Sequence, residues 1–156
     1  MTLPTAGDPM PDIPMELPDG DAIRPSDFRG RKAVIWFYPK DNTPGCTMEA
    51  KDFSELASEF SKAGIALLGV SKDSAAKHRK FSEKHSLTVS LATDLPEGGL
   101  SDALGIWTEK QLYGRKFVGM VRTTYLLDAA GRIARVWNKV KVKGHAAEVL
   151  EEARQL

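Results

Sequence analysis

The chain has 156 residues, 42% of them hydrophobic and 28% charged, and a net charge of +1. That length suits one domain with a sizeable core, and the near-neutral charge excludes a global basic field for nucleic acid or an anionic membrane. No apolar run approaches the roughly 18 residues of a membrane span, and a lone cysteine, Cys46, excludes an internal disulfide and fits a reducing compartment.

The opening MTLPTAGDPMPDIPM carries Asp and Pro where a secretion signal has an apolar core, which reads as a cytoplasmic chain. Pro4, Pro9, Pro11, Pro14, Pro18 and Pro25 predict an irregular start, with a short hairpin around Pro18-Asp19-Gly20-Asp21. Residues 33–38 (AVIWFY) and 65–70 (IALLGV) are continuous apolar runs rich in β-branched and aromatic side chains, so they read as strands covered on both faces. Between them Phe53, Leu56, Ala57 and Phe60 recur at helical spacing. Two buried strands joined by a helix make a right-handed parallel βαβ unit.

A second helix is predicted from Ser74 to His85, capped by Asp73 or Ser74, then a short strand near Val89–Ala92. TTYLLD and RIARVW flank Ala129-Ala130-Gly131, a hairpin signal. Lys139, Lys141 and Lys143 alternate with Val140 and Val142 as on the wet face of a strand end. GHAAEVLEEAR (144–154) closes the chain as a helix. A parallel βαβ half followed by a ββα half is the thioredoxin-type arrangement, a mixed α/β sheet flanked by helices, expected here as one domain over 1–156.

Cys46 lies where the first buried strand gives way to the first helix. Thr43 suits the N-cap and Pro44 the first helical position, so Cys46 falls in the first turn, where unpaired N–H groups and the helix dipole favour an anion. A free thiol with a pKa of about 8.5 is only a few per cent ionised at pH 7, and such a position favours the reactive thiolate. Ligands of open α/β sheets also gather at the carboxyl ends of strands. The opposing reading is inert packing, since Cys46 shares a helical face with Phe53 and Phe60. Glu49 on that same face speaks against it, because a carboxylate beside a core cysteine is costly unless a cation meets it.

The segment FYPKDNTPGCTMEA resembles the active-site stretch of the peroxiredoxins, with Pro39, Thr43 and Cys46 meeting the pattern P-x-x-x-T-x-x-C. It is most similar to the bacterioferritin comigratory protein, or Q-type, subfamily. Gly7-Asp8, GMVRTTYLLDAAGRI at 119–133 and VKGHAAEVL at 142–150 extend the resemblance over nearly the whole chain. It implies that Cys46 attacks a hydroperoxide and becomes a sulfenic acid. It also implies that the Thr43 hydroxyl bonds sulfur and peroxide, that Pro39 shields the cysteine, and that Arg122 stabilises thiolate and peroxide. The N–H groups of Gly45 and Cys46 are expected to add to that cradle, and Glu49 either holds Arg122 or is simply an acid favoured near a helix start. Neither a cofactor nor a metal is implied.

Many Q-type relatives carry a resolving cysteine five positions after the peroxidatic one, where this chain has Lys51. The sulfenic acid therefore calls for an external thiol (glutathione, glutaredoxin or a thioredoxin-like protein), or less readily for Cys46 of a second subunit. The resemblance implies a monomer, with a dimer left open. A second function stays in view, a peroxide sensor or redox-regulated binding module with little turnover. A thioredoxin-type disulfide reductase is disfavoured, because the first cysteine of its C-x-x-C motif would stand at Thr43, or, with Cys46 as the first, the second would stand at Glu49.

His78, His85 and His145 lack metal-ligand spacing and read as solvated or capping residues. Trp36 and Phe37 read as core. Trp107, Leu112, Tyr113, Phe117 and Met120 are open between a pocket wall and a cover for the sheet.

Overall fold

The computed structural model describes residues 3–156. In chain order the elements are β1 (Met15–Glu16), β2 (Ala22–Ile23), a 3-10 turn (Pro25–Phe28), β3 (Lys32–Phe37), α1 (Pro44–Lys62), β4 (Ile65–Ser71), α2 (Ala75–His85) and β5 (Ser90–Thr93). There follow a one-turn helix α3 (Leu100–Ala103), β6 (Trp107–Leu112), β7 (Arg115–Met120), β8 (Thr123–Leu127), β9 (Ile133–Trp137) and α4 (His145–Gln155). Among the described residues, seven strands form one mixed sheet in the order β2-β1-β5-β4-β3-β8-β9, while β6 and β7 pair only with each other. Strands β3, β4 and β5 run parallel, and β8 returns antiparallel to β3. The β3-α1-β4 unit followed by β8-β9-α4 is the thioredoxin-like core that the pattern predicts.

Period-two alternation in β3 divides the core in two. Val34 and Trp36 face a cluster with Phe53 and Phe60 of α1, Phe81 of α2 and Val149 of α4. Ala33, Ile35 and Phe37 face the other way, onto Met10, Phe28, Leu100, Ile106 and Met120. A strand buried on both faces needs no polar alternation, which is why its sequence is an unbroken apolar run. The Trp36 ring stacks on Phe53 with centroids 4.3 Å apart, fixing α1 on the sheet.

That stack requires a bare backbone on the neighbouring strand. Gly69 of β4 pairs with Trp36, and a Cβ there would lie 2.6 Å from Trp36 Cζ2 and 2.9 Å from a Leu91 methyl. Gly69→Ala is therefore expected to destabilise the fold by about 1–3 kcal/mol, as overpacking does. Urea unfolding is the measurement, and an unchanged midpoint would contradict the packing described.

Helix α2 starts as predicted, with Ser74 Oγ accepting from Lys77 N–H. The hairpin at 18–21 joins β1 to β2. Three expectations need correction. Lys139, Lys141 and Lys143 are solvated but lie in a loop, because β9 ends at Trp137 and Lys139 turns left-handed at φ 50°. His78 and His145 are buried, each held by a polar partner, and only His85 stays at the surface, bonded to Asn42. Residues 107–120 form a separate hairpin turning at Tyr113-Gly114, both with positive φ. Its base, Met120 and Trp107, packs under the sheet, whereas Leu112, Tyr113 and Phe117 project into solvent. No described helix is long and apolar enough to cross a membrane.

Candidate active site

Chain geometry brings three distant segments together at the carboxyl end of β3. The connection from β3 into α1 is anchored on its inner side before it reaches Cys46. Tyr38 donates from its hydroxyl to Asp41 Oδ1 at 2.5 Å, and the Asp41 N–H donates to Asp73 Oδ2 at 2.8 Å. Asp41 Oδ2 lies 2.7 Å from His78 Nδ1, while Nε2 of that ring donates to the Ala92 carbonyl at 3.1 Å. Burial and the adjacent Asp41 carboxylate push the Tyr38 phenol well above its ordinary range. Sequence reading missed this network, since the side chains it bonds together stand up to 40 residues apart and only the fold joins them.

Asn42 then takes a left-handed turn, φ 61°, and Thr43 occupies the N-cap of α1 with Pro44 at the first helical position. The Thr43 side chain does not cap the helix. Its hydroxyl donates back to the Lys40 carbonyl at 2.9 Å and makes no bond to the Cys46 sulfur, so the resemblance's Thr43–sulfur contact is not made in this conformation. The first intrahelical bond runs from Thr47 N–H to the Thr43 carbonyl at 2.8 Å, leaving the N–H groups of Gly45 and Cys46 without helical acceptors. Pro39 is half-buried on the approach.

Cys46 is 1% exposed and points inward. Arg122, one residue before β8, reaches across to it: Nη2 donates to Cys46 Sγ at 3.3 Å and Nη1 to Glu49 Oε1 at 2.7 Å. The two ends of one guanidinium fork thus hold a sulfur and a carboxylate one helical turn apart, a division of labour that a lysine ammonium cannot reproduce. Gly45 leaves room for this, because a Cβ there would lie 3.1 Å from Arg122 Nη2. Sequence reasoning had left Glu49 open between a partner for Arg122 and a helix-start acid; the structure pairs it with Arg122.

Glu49 is 1% exposed, and its second oxygen, Oε2, has no partner among the described residues. Burial raises its carboxyl from the ordinary 4.5 to about 7, against the opposing pull of Arg122. Arg122 itself loses from burial but is raised overall by Glu49 and Cys46. An acid that holds its proton more tightly when folded adds stability below its unfolded pKa and loses it as pH rises through the folded value. Between pH 4.5 and 7 this one group is expected to weaken the fold by up to about 3 kcal/mol relative to Glu49→Gln. Urea unfolding of both proteins at pH 5 and 7.5 measures it, and parallel pH dependences would refute it.

The sequence pattern of the AhpC/TSA family matches residues 6–136. The chain is 41% identical to the peroxiredoxin Bcp of Bacillus subtilis (strain 168) over 150 residues, 96% of this chain and 95% of that one. Among solved structures, the bacterioferritin comigratory protein of Xanthomonas campestris superposes with a TM-score of 0.88 at 40% identity, covering 96% of this chain and 98% of the other. That structure belongs to work on alkyl peroxide reduction through trapped intermediate and ligand complexes. A cysteine-to-serine mutant of Xylella fastidiosa PrxQ superposes with a TM-score of 0.91 at 33% identity, over 99% and 98% of the two chains. With a lone thiol at the head of α1, an arginine fork upon it and likeness along almost the full chain, the protein belongs to the AhpC/TSA family, among its peroxiredoxins.

Proposed function

We propose that this chain is a thiol-dependent peroxidase that reduces hydrogen peroxide and organic hydroperoxides with Cys46 and is recycled by an external thiol. The observation that carries the reading is the Arg122 fork shared between Cys46 Sγ and Glu49. The alkyl peroxide reduction attributed to the Xanthomonas campestris relative supports the organic substrate class.

In the first half-reaction the Cys46 thiolate attacks one peroxide oxygen. An S–O bond forms, the O–O bond breaks, and the departing alkoxide or hydroxide takes a proton and leaves as alcohol or water. Sulfur is oxidised to the sulfenic acid and the peroxide is reduced. Arg122 supplies fixed positive charge and donors where negative charge moves, and the free N–H groups of Gly45 and Cys46 add to them. The Thr43 hydroxyl, its hydrogen given to Lys40, keeps lone pairs that accept from an incoming peroxide O–H. Pro39 closes the pocket against solvent, and Glu49 holds the guanidinium in place.

In the second half-reaction one thiol condenses with the sulfenic acid to release water. A second displaces the mixed disulfide and restores Cys46. Cys46 is the one cysteine of the sequence, so both thiols come from outside the chain. Glutathione with glutaredoxin, or a thioredoxin-like protein, fits this step, in a reducing cytoplasm and on a monomer of one 156-residue domain.

Peroxide consumption is the test, with glutathione/glutaredoxin and thioredoxin supplied separately. Sustained turnover with either supports the reading. Rapid single-turnover oxidation that no thiol reverses would replace it with a peroxide sensor.

A further inference from the structure

Loop 138–144 and the first residue of α4, His145, fasten residues 122–124 one after another. The Val140 N–H donates to the Arg122 carbonyl at 3.0 Å. Asn138 Nδ2 donates to Thr123 Oγ1 at 3.4 Å, and His145 Nε2 lies 2.8 Å from Thr124 Oγ1. Thr124 pairs with Trp36, whose ring lies in the same core cluster as Cys46, and Arg122 reaches Cys46 on that side. On that face His145 is wedged between elements. It is 5% exposed, and its ring meets Phe53 of α1 edge-on at 6.1 Å and Trp137 of β9 at 5.8 Å. It therefore touches both the helix that carries Cys46 and Glu49 and the strand that begins next to Arg122. Burial, with Arg122 and Arg135 nearby, lowers its imidazole to about 4, despite the opposing Glu148. The ring pairs with a hydroxyl at neutral pH without adding charge beside the guanidinium.

We propose that His145 is a positioning residue for the peroxidase reaction, setting the separation between Arg122 and the first turns of α1 through Thr124 on one side and Phe53 on the other. The proposal rests on the peroxidase reading above. It also gives a task to the VKGHAAEVL stretch, which that reading leaves idle. The distances it governs are short: a guanidinium displaced by a fraction of an ångström leaves either Cys46 or Glu49 without its donor, and misplacement of about 1 Å at a reacting centre costs up to about a hundredfold.

The test compares His145→Leu, the near-isosteric Thr124→Val, the double variant, and His145→Gln, which keeps a polar atom for Thr124. Cys46 oxidation by peroxide in a single turnover and the pH profile of its alkylation by iodoacetamide are measured below each variant's melting transition. Thr124→Val and His145→Leu are each expected to slow oxidation roughly tenfold and to move alkylation to higher pH. The double variant should be no slower than the slower single, and His145→Gln should recover most of the loss. Wild-type rates and profiles in Thr124→Val would overturn the proposal even if His145→Leu does not fold, and so would losses that multiply in the double variant. Failure of the wild-type protein to consume peroxide would instead strike the peroxidase reading itself.

Discussion

Replacing Cys46 by serine is expected to reduce peroxide consumption to the uncatalysed background. The chain holds no other thiol, and a hydroxyl at this position does not ionise near neutral pH, so no nucleophile remains to break the O–O bond. The fold should survive, because the change exchanges one buried atom for a smaller one and leaves the Arg122–Glu49 pair at 2.7 Å in place. Peroxide loss under excess dithiothreitol is the measurement, with a thermal melt to verify folding. Saturable turnover by a folded serine variant would end the assignment of Cys46 as the nucleophile.

Arg122→Ala is expected to lower the rate of Cys46 oxidation by about 10²–10³, the range seen when one preorganised donor to a developing charge is removed. A stability cost accompanies it, for a different reason. Without the guanidinium, Glu49 loses the pull that opposes its burial and takes up a proton at neutral pH, so the cost grows as pH rises, toward the about 3–5 kcal/mol of a buried ion pair broken from one side. Adding Glu49→Gln should recover much of that stability while leaving oxidation slow. The double variant thus separates what Arg122 does for folding from what it does for chemistry. Arg122→Lys should fall between, since one ammonium cannot serve Sγ at 3.3 Å and Oε1 at 2.7 Å from two ends of a fork. Normal oxidation in a folded Arg122→Ala protein would show that the guanidinium is not needed at the sulfur.

Those parts of the fold whose cause is local were legible in the sequence. The apolar runs of β3 and β4, the helical spacing of Phe53 and Phe60, the Ser74 cap and the Gly131 turn each carry their reason within a few residues. What escaped depends on the fold itself. Strands β6 and β7 read WTEKQL and RKFVGM, mostly exposed, with little apolar alternation, and Tyr113 is not a usual residue for a left-handed turn. The lysines after Trp137 imitate a strand because Val140 and Val142 are half-buried, yet they cover the core as a loop. At the site, Cys46, Thr43, Pro39 and Gly45 lie on one short stretch, so a motif finds them. Arg122 stands 76 residues from Cys46 and came only through family likeness. The roles of His78 and His145 were misread because a histidine's burial is set by elements far away in sequence.

The lone sulfur, 1% exposed, also stands at a branch point. Once oxidised, Cys46 has no neighbouring thiol to trap it, so each molecule waits on an outside encounter. During that wait a second peroxide competes with the outside thiol for the oxidised sulfur. A second oxygen transfer carries sulfur to the sulfinic acid and off the cycle. Inactivation then counts turnovers rather than minutes, with the odds at each pass set by the ratio of peroxide to reductant. Such a protein suits a trickle of oxidant and is spent by a surge.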